Sequence, residues 1–94
     1  MLYNWDENKR RSNIEKHGVD FVDATEIFTD HNRIETVDDR NDYGEERLQT
    51  IGYALPGLLF VVYTYRDDMT KRRIISARKA SKKEKAIYNS QLGQ

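Results

Sequence analysis

Basic side chains crowd the C-terminal part of the sequence, in a pattern that could bind a polyanion. They are Arg66, Arg73, Arg78, Lys79, Lys82, Lys83 and Lys85. Arg66 and Arg78 fall at the predicted ends of strands, and a guanidinium on a rigid scaffold is well suited to hold phosphate. Clustered cations of this kind are typical of surfaces that bind a nucleic-acid backbone. They are also typical of charged sheet edges that prevent aggregation, and the residues alone leave both readings open.

His17 and Tyr88 are the side chains best suited by type and position to move a proton. His17 follows Lys16 at the predicted end of a helix, and an imidazole can act as acid or base near neutral pH. A histidine there can equally be a favourable cation at the helix C-terminus. Tyr88 lies four residues after Glu84 on one helical face, where nearby cations could lower the pKa of its phenol. Packing in the core is the alternative role for Tyr88.

Several kinds of chemistry lack the residues they need. The chain has no cysteine, which excludes disulfides, thiolate metal sites and a cysteine nucleophile. It has no His-x-x-x-His pair and no glycine-rich phosphate loop, and its serines lack the context of a nucleophile elbow. We therefore predict that the protein uses no metal and no cofactor.

The formal net charge is zero, but the charges are unevenly divided. Residues 1–65 contain seven Lys and Arg against thirteen Asp and Glu, whereas residues 66–94 contain nine against three. This division predicts one surface that attracts polyanions on a neutral molecule. The longest apolar run, Leu58–Val62, is too short to cross a bilayer, and the N-terminus lacks the apolar region of a signal peptide. A cytoplasmic protein with no membrane contact is therefore expected.

Caps and periodicity predict the elements that position these side chains. We expect strands at Leu2–Trp5, Arg33–Val37, Arg47–Ala54, Leu58–Tyr65 and Arg72–Lys79, and helices at Glu7–His17, residues 21–28 and residues 82–91. Asp6 and Asp20 are the predicted N-caps of the first two helices, and Ser81 with Glu84 matches a capping box for the third. Gly52 indicates a bulge or a close approach of backbone.

The order β-α-α-β-β-β-β-α predicts an α+β domain covering residues 1–94. We expect an N-terminal helix hairpin packed on an antiparallel sheet, followed by a C-terminal helix. Alternation along the last strand predicts Ile74, Ser76 and Arg78 on one face, with Ala77 on the other.

Several ordered motifs together resemble a known family. They are Trp5-Asp6-x-Asn8-Lys9, Asn13, Lys16-His17-Gly18-Val19-x-Phe21, Ala24, Phe28, Gly44-Glu45-x-Arg47, Ile51-Gly52, Val62-Tyr63-Thr64-x-Arg66, Arg73-Ile74-Ile75-Ser76-Ala77-Arg78-Lys79-Ala80, Glu84 and Tyr88. The chain resembles the BrnT family of bacterial type II toxins, small relatives of the RelE-like ribonucleases. The resemblance covers essentially the whole chain and implies a RelE-like fold.

The resemblance implies an endoribonuclease that arrests growth by cutting RNA and is neutralised by a cognate BrnA-like antitoxin. In this family the antitoxin binds DNA, so operator DNA would be reached only through the antitoxin. RelE-like enzymes work without metal: the RNA 2′-OH attacks the adjacent phosphate and leaves a 2′,3′-cyclic phosphate and a free 5′-OH.

Carried onto this chain, the resemblance predicts that Arg66 and Arg78 hold the scissile phosphate while His17 or Tyr88 handles a proton. The RNA-binding residues would be Lys16, Arg73, Lys79, Lys82 and Lys83. The acidic segment Glu35–Asp42 is given no catalytic part. The alternative is a non-catalytic nucleic-acid-binding module that uses the same basic face. A third reading is a structural protein whose C-terminal cations dock an acidic partner.

Overall fold

The computed structural model describes residues 1–40, 42, 44–55 and 57–92. Asn41 of the predicted acidic segment lies outside these ranges, as do Tyr43, Pro56, Gly93 and Gln94. The elements in chain order are β1 (Leu2–Asn4), α1 (Glu7–His17), α2 (Phe21–Ala24), a 3₁₀ helix (Thr25–Thr29), β2 (Ile34–Asp38), β3 (Arg47–Ala54), β4 (Gly57–Arg66), β5 (Lys71–Lys79) and α3 (Lys82–Leu92). This succession agrees with the predicted one. No helix in the described ranges has the length and apolar character that a membrane crossing requires.

The five strands form one mixed sheet in the order β1-β5-β4-β3-β2. Strands β2 to β5 are antiparallel neighbours, but β1 runs parallel to β5, with Leu2 opposite Lys71 and Asn4 opposite Arg73. The prediction of an antiparallel sheet is therefore wrong at this edge. Alternating hydrophobicity indicates which face of a strand is buried, whereas it carries no information on the direction of a three-residue strand.

The predicted helix caps are present. Asp6 accepts a hydrogen bond from the backbone N–H of Asn8 at 2.8 Å. Asp20 accepts one from the backbone N–H of Val22 at 3.0 Å. Gly18 adopts a left-handed φ of 68° at the end of α1, a conformation that glycine takes without steric cost.

The second predicted helix is only partly α-helical. It is α-helical to Ala24 and then tightens into the 3₁₀ helix. Two threonine hydroxyls bond back to the preceding turn: Thr25 Oγ1 donates to the Val22 carbonyl at 2.7 Å. Thr29 Oγ1 donates to the Glu26 carbonyl at 2.8 Å. Such back-bonding competes with regular α-helix, so the second helix of the expected hairpin is shorter than the predicted residues 21–28.

The two faces of the sheet carry separate cores. One core packs α2 and the 3₁₀ helix against Leu59, Val61 and Tyr63 of β4. The other packs α3, through Tyr88, against Phe60 on the opposite face of β4. Phe21, Ala24, Ile27 and Phe28 have the spacing of one apolar helix stripe, and all four are buried. The predicted close approach at Gly52 is also confirmed, because a Cβ there would lie 2.9 Å from the Ile27 Cβ.

Strand β5 contains a β-bulge that changes which side chains share a face. Val62 lies opposite Ser76, but the next residue of β4 lies opposite Ile74, so Ile75 is the extra residue. Ile74 and Ala77 consequently lie in the same core, with relative exposures of 1% and 0%. The expected alternation is therefore wrong for Ile74, while Ser76 and Arg78 do share a face.

Candidate active site

Helix α1 is attached to the sheet by a buried amide rather than by an apolar stripe. Its one aliphatic residue, Ile14, is 38% exposed. Asn13 is buried, and its Nδ2 donates to the carbonyl oxygens of Ala77 at 2.7 Å and Val19 at 2.9 Å. Its Oδ1 accepts from the backbone N–H of Ala77 at 3.2 Å. Asn13 thus gives the backbone N–H and C=O of Ala77 the hydrogen bonds that a neighbouring strand would otherwise give, and it fixes α1 against β5.

A groove of about 250 Å³ lies between α1 and β5. Its lining combines two lysines, a histidine and two hydroxyls; the lining residues are Lys9, Ser12, Asn13, Lys16, His17, Ile75 and Ser76. The helical residues are three to four positions apart, which places them on one face of α1. Cations and hydroxyl donors in a concave surface form a setting suited to phosphate. We call it the α1–β5 groove.

The α1–β5 groove contains two of the predicted site residues, Lys16 and His17, both exposed at the end of α1. Sequence reasoning missed Lys9, Ser12 and Ser76. The spacing of the helical residues was a usable signal for Lys9 and Ser12, since seven positions separate Lys9 from Lys16 and close two helical turns. No local signal pointed to Ser76, because its place at the groove depends on how α1 docks.

Arg78 lies on β5 two residues beyond Ser76 and is held by Glu84 of α3. Its Nη1 and Nη2 donate to the two carboxylate oxygens of Glu84, both at 2.8 Å. Its guanidinium carbon lies 4.2 Å from the centroid of the Phe60 ring, a cation–π contact. The hydrogen bond from Arg78 is the main cause that holds the pKa of Glu84 below its ordinary value. Arg78 is therefore a fixed cation near the C-terminal end of β5, the strand that lines the α1–β5 groove.

Three of the predicted RNA-binding lysines lie at the same end of β5 as Arg78. Lys79 is the last residue of β5, and Lys82 and Lys83 are the first two residues of α3; all three are exposed. Glu84 shares a complete capping box with Ser81, as predicted: the Ser81 N–H donates to Glu84 Oε1 at 2.8 Å, and the Glu84 N–H donates to Ser81 Oγ at 3.2 Å. We call Arg78, Lys79, Lys82 and Lys83 the Arg78 cluster.

Arg73 does not belong to the Arg78 cluster. It lies in the first half of β5, opposite Asn4 of β1 and Thr64 of β4. At ~3.3 Å per residue, its Cα is about 16 Å along the strand from that of Arg78. A contact between Arg73 and RNA would therefore require a strand several nucleotides long.

Arg66 and Arg78 lie at opposite ends of the sheet. The register pairs Arg66 with Lys71 and Arg78 with Phe60, which separates the two arginines by about 20 Å along the strands. The prediction that they hold one phosphate together is wrong, because the C-terminal ends of two consecutive antiparallel strands lie at opposite ends of the sheet. Arg66 instead donates from Nη1 to Glu45 Oε1 at 3.0 Å.

Tyr88 is a buried anchor of α3. Its hydroxyl donates to Asp30 Oδ2 at 2.7 Å, and the same oxygen accepts from the Tyr53 N–H at 2.8 Å. Burial, with the hydrogen bond to Asp30 as the next cause, raises the pKa of Tyr88 to about 12. The alternative of packing in the core is confirmed for Tyr88, and its pKa is raised rather than lowered, so the phenol keeps its proton near neutral pH.

Two carboxylates, Asp20 and Glu84, form ion pairs with arginines. Asp20 accepts from Arg10 Nε and Nη2, both at 2.9 Å, and the bond from Arg10 is the main cause of a lowered Asp20 pKa. Glu84 is held by Arg78 in the same way. Within the described ranges, no three His, Asp or Glu side chains come together in an arrangement that could hold a metal ion.

Comparison with known proteins gives one family. The model of the BrnT family, described as the ribonuclease toxin of a type II toxin–antitoxin system, matches residues 5–84. No curated protein matches the chain closely enough to count as a relative. The matched residues include α1, the whole sheet from β2 to β5 and the first turn of α3. The chain therefore belongs to the BrnT family of type II ribonuclease toxins.

Proposed function

We propose that this protein is a metal-independent, RelE-like endoribonuclease whose active surface consists of the α1–β5 groove and the Arg78 cluster. The observation that carries the proposal is their continuity along β5. Ser76 lines the groove with His17, and Arg78 follows on the same face of the strand. The groove that contains His17 and the fixed guanidinium of Arg78 are therefore neighbours along β5.

The proposed reaction is an in-line attack of the RNA 2′-OH on the adjacent phosphorus. A bond forms between the 2′-oxygen and phosphorus while the bond from phosphorus to the 5′-oxygen breaks, which gives a 2′,3′-cyclic phosphate and a 5′-OH. His17 acts as the general base and takes the proton of the 2′-OH, and the leaving 5′-oxygen takes a proton from water. Arg78 stabilises the charge that develops on the phosphate oxygens.

The lysines bind the RNA backbone on either side of the scissile phosphate. Lys9 and Lys16 act from the groove, and Lys79, Lys82 and Lys83 act from the Arg78 cluster. Tyr88 has no role in proton transfer in this scheme, because its hydroxyl holds α3 to Asp30. Arg66 and Arg73 are far enough away that they contact only a longer RNA strand.

The family supports a partner as well as a substrate. We propose that a BrnA-like, DNA-binding antitoxin neutralises the protein in the cytoplasm, and that the toxin meets operator DNA only through this antitoxin. An acidic segment of the antitoxin would suit the Arg78 cluster, because it would compete with RNA for the same cations.

The test is incubation of the purified protein with total RNA in EDTA, followed by analysis of the new ends. We expect cleavage with 5′-OH and 2′,3′-cyclic phosphate ends. If nothing is cut, ribosomes are added, since a toxin that needs the ribosome would then become active. RNA binding without cleavage under both conditions would contradict the proposal and favour the non-catalytic binding module.

A further inference from the structure

Arg78 has more hydrogen-bond donors than its protein partners use. A guanidinium carries five N–H groups, on Nε, Nη1 and Nη2. Nη1 donates to Glu84 Oε1 at 2.8 Å and to the Lys79 carbonyl at 3.2 Å, and Nη2 donates to Glu84 Oε2 at 2.8 Å. The N–H of Nε and the second N–H of Nη2 have no acceptor among the described residues. These two groups share one edge of the guanidinium and form a fork that matches two oxygens of a phosphate.

The direction of this open edge is fixed by Glu84. Glu84 is itself immobilised, because its Oε1 also accepts from the Ser81 N–H at 2.8 Å and its side chain is only 17% exposed. The Phe60 ring covers one face of the guanidinium. With one edge bound to Glu84 and one face on Phe60, the guanidinium cannot turn without breaking these contacts. The Arg78 side chain is nevertheless 38% exposed, so the open edge remains accessible to solvent.

We infer that Glu84 is a positioning residue for phosphate binding, in addition to capping α3. It aims the open Nε–Nη2 edge of Arg78 at the RNA phosphate next to the α1–β5 groove. The inference rests on the proposed ribonuclease function and adds a specific device to it. A carboxylate beside a phosphate-binding arginine weakens attraction for a polyanion, and this cost is offset by the orientation that it gives to Arg78.

The substitution that separates the two roles of Glu84 is Glu84→Gln. Glutamine can still cap a helix from this position, but its amide nitrogen is a donor and cannot replace the second carboxylate oxygen opposite Arg78. We expect kcat for RNA cleavage to fall about 10- to 100-fold, the range expected when a catalytic group loses its orientation. We expect KM to stay the same or decrease, because one negative charge leaves the RNA-binding surface.

The matched control is Ser81→Ala, which removes the other half of the capping box. It deletes the acceptor of the Glu84 N–H but leaves both bonds from Glu84 to Arg78. We expect its kcat to remain within about twofold of the parent value, since only the cap is weakened. Equal losses in both variants would show that Glu84 acts only through the cap and would overturn the inference. A rise in kcat/KM for Glu84→Gln would overturn it too, because Glu84 would then be a competitor of RNA.

A second measurement is independent of catalysis. Titration of the folded protein with inorganic phosphate, followed by NMR at the side-chain Nε–H signals of arginine, should shift the Arg78 signal in the parent and in Ser81→Ala. In Glu84→Gln we expect at least a tenfold weaker response at the same signal. An equal response in all three proteins would overturn the inference whether or not the parent cuts RNA. A parent that shows the Arg78 response but never cleaves RNA would contradict the proposed function alone.

Discussion

Asn13 binds both peptide groups of Ala77 through its side-chain amide, and in doing so it supplies what a neighbouring strand would supply. Strand β1 is too short to reach this part of β5, since its pairing ends at Arg73. The edge of β5 is therefore completed by a helix side chain. This contact places the helix residues of the α1–β5 groove opposite Ser76.

We predict that Asn13→Ala destabilises the fold and disables the groove. The substitution leaves the N–H and C=O of Ala77 without partners in a buried setting, which costs about 2 to 3 kcal/mol of unfolding free energy. Chemical denaturation measures that loss. At temperatures where the variant is folded, RNA cleavage should still be reduced, because α1 is no longer fixed against β5. A variant with parental stability and activity would contradict the role of this amide.

Two buried threonines should respond in opposite directions to the same substitution. Thr50 is fully buried, and its hydroxyl has no partner in the described part of the chain. Thr64 is 3% exposed, and its hydroxyl donates to the Glu46 carbonyl at 2.6 Å. We expect Thr50→Val to raise the unfolding free energy by about 1 kcal/mol and Thr64→Val to lower it by about the same amount. Thermal unfolding of the two variants measures both changes. A loss of stability in Thr50→Val would contradict the conclusion that the Thr50 hydroxyl is buried without a partner.

The turn between β4 and β5 stores backbone strain. Asp67, Asp68 and Met69 all have positive φ angles of 54° to 68°, a conformation that costs a non-glycine residue about 1 kcal/mol. Aspartate tolerates it better than methionine does. We therefore predict that Met69→Gly raises the unfolding free energy by up to about 1 kcal/mol, and the melting temperature with it. Leu55→Gly is the control: Leu55 is also exposed but has no positive φ, so glycine there should not stabilise.

Tyr88→Phe should weaken the docking of α3 and make the loss depend on pH. Removal of the hydroxyl breaks the bond to the Asp30 carboxylate, at a cost of about 2 kcal/mol near neutral pH. Burial raises the pKa of Asp30, but the hydrogen bonds from Tyr88 and from two backbone N–H groups together lower it by more than burial raises it. The pKa of Asp30 therefore lies below its ordinary value of 3.8. A lowered folded-state pKa stabilises the fold above the unfolded value and stops doing so as the pH falls through the folded value.

The difference in unfolding free energy between the parent and Tyr88→Phe should therefore have its full value at pH 7 and become smaller below about pH 3.8. Denaturation of both proteins across this range is the measurement. A difference that stays constant down to the lowest pH would mean that the Tyr88 hydroxyl does not favour ionised Asp30.

Local features of this fold follow from the sequence, and non-local ones do not. The caps at Asp6, Asp20 and Ser81 depend on residues within a few positions, and they form as predicted. The bulge at Ile75 and the direction of β1 depend on which strands meet, which no short segment encodes. The 3₁₀ helix also has a local cause in the two threonine hydroxyls. The apolar periodicity of residues 21–28 predicted a continuous α-helix and did not indicate this cause.

The candidate site shows the same division. His17, Lys16 and Arg78 are recognisable from residue type and position, and their assigned roles stay predictions. The distance between Arg66 and Arg78 could have been anticipated, because an antiparallel hairpin places the C-terminal ends of its strands apart. The contacts of Asn13 with Ala77 span 64 positions and depend on the docking of a helix without an apolar stripe. Such a contact leaves no periodic signal.

The most direct test of the proposed active surface compares Arg78→Ala with Arg66→Ala in one RNA cleavage assay. Both variants remove a strand-end arginine that is paired with a glutamate, so they match in chemistry and differ in position. The proposal predicts that Arg78→Ala loses about 100-fold or more of kcat, as expected for loss of a group that stabilises developing charge. Arg66→Ala should stay within about threefold, the change expected for a distant surface cation. Parental activity in folded Arg78→Ala, or a larger loss in Arg66→Ala, would contradict the central claim.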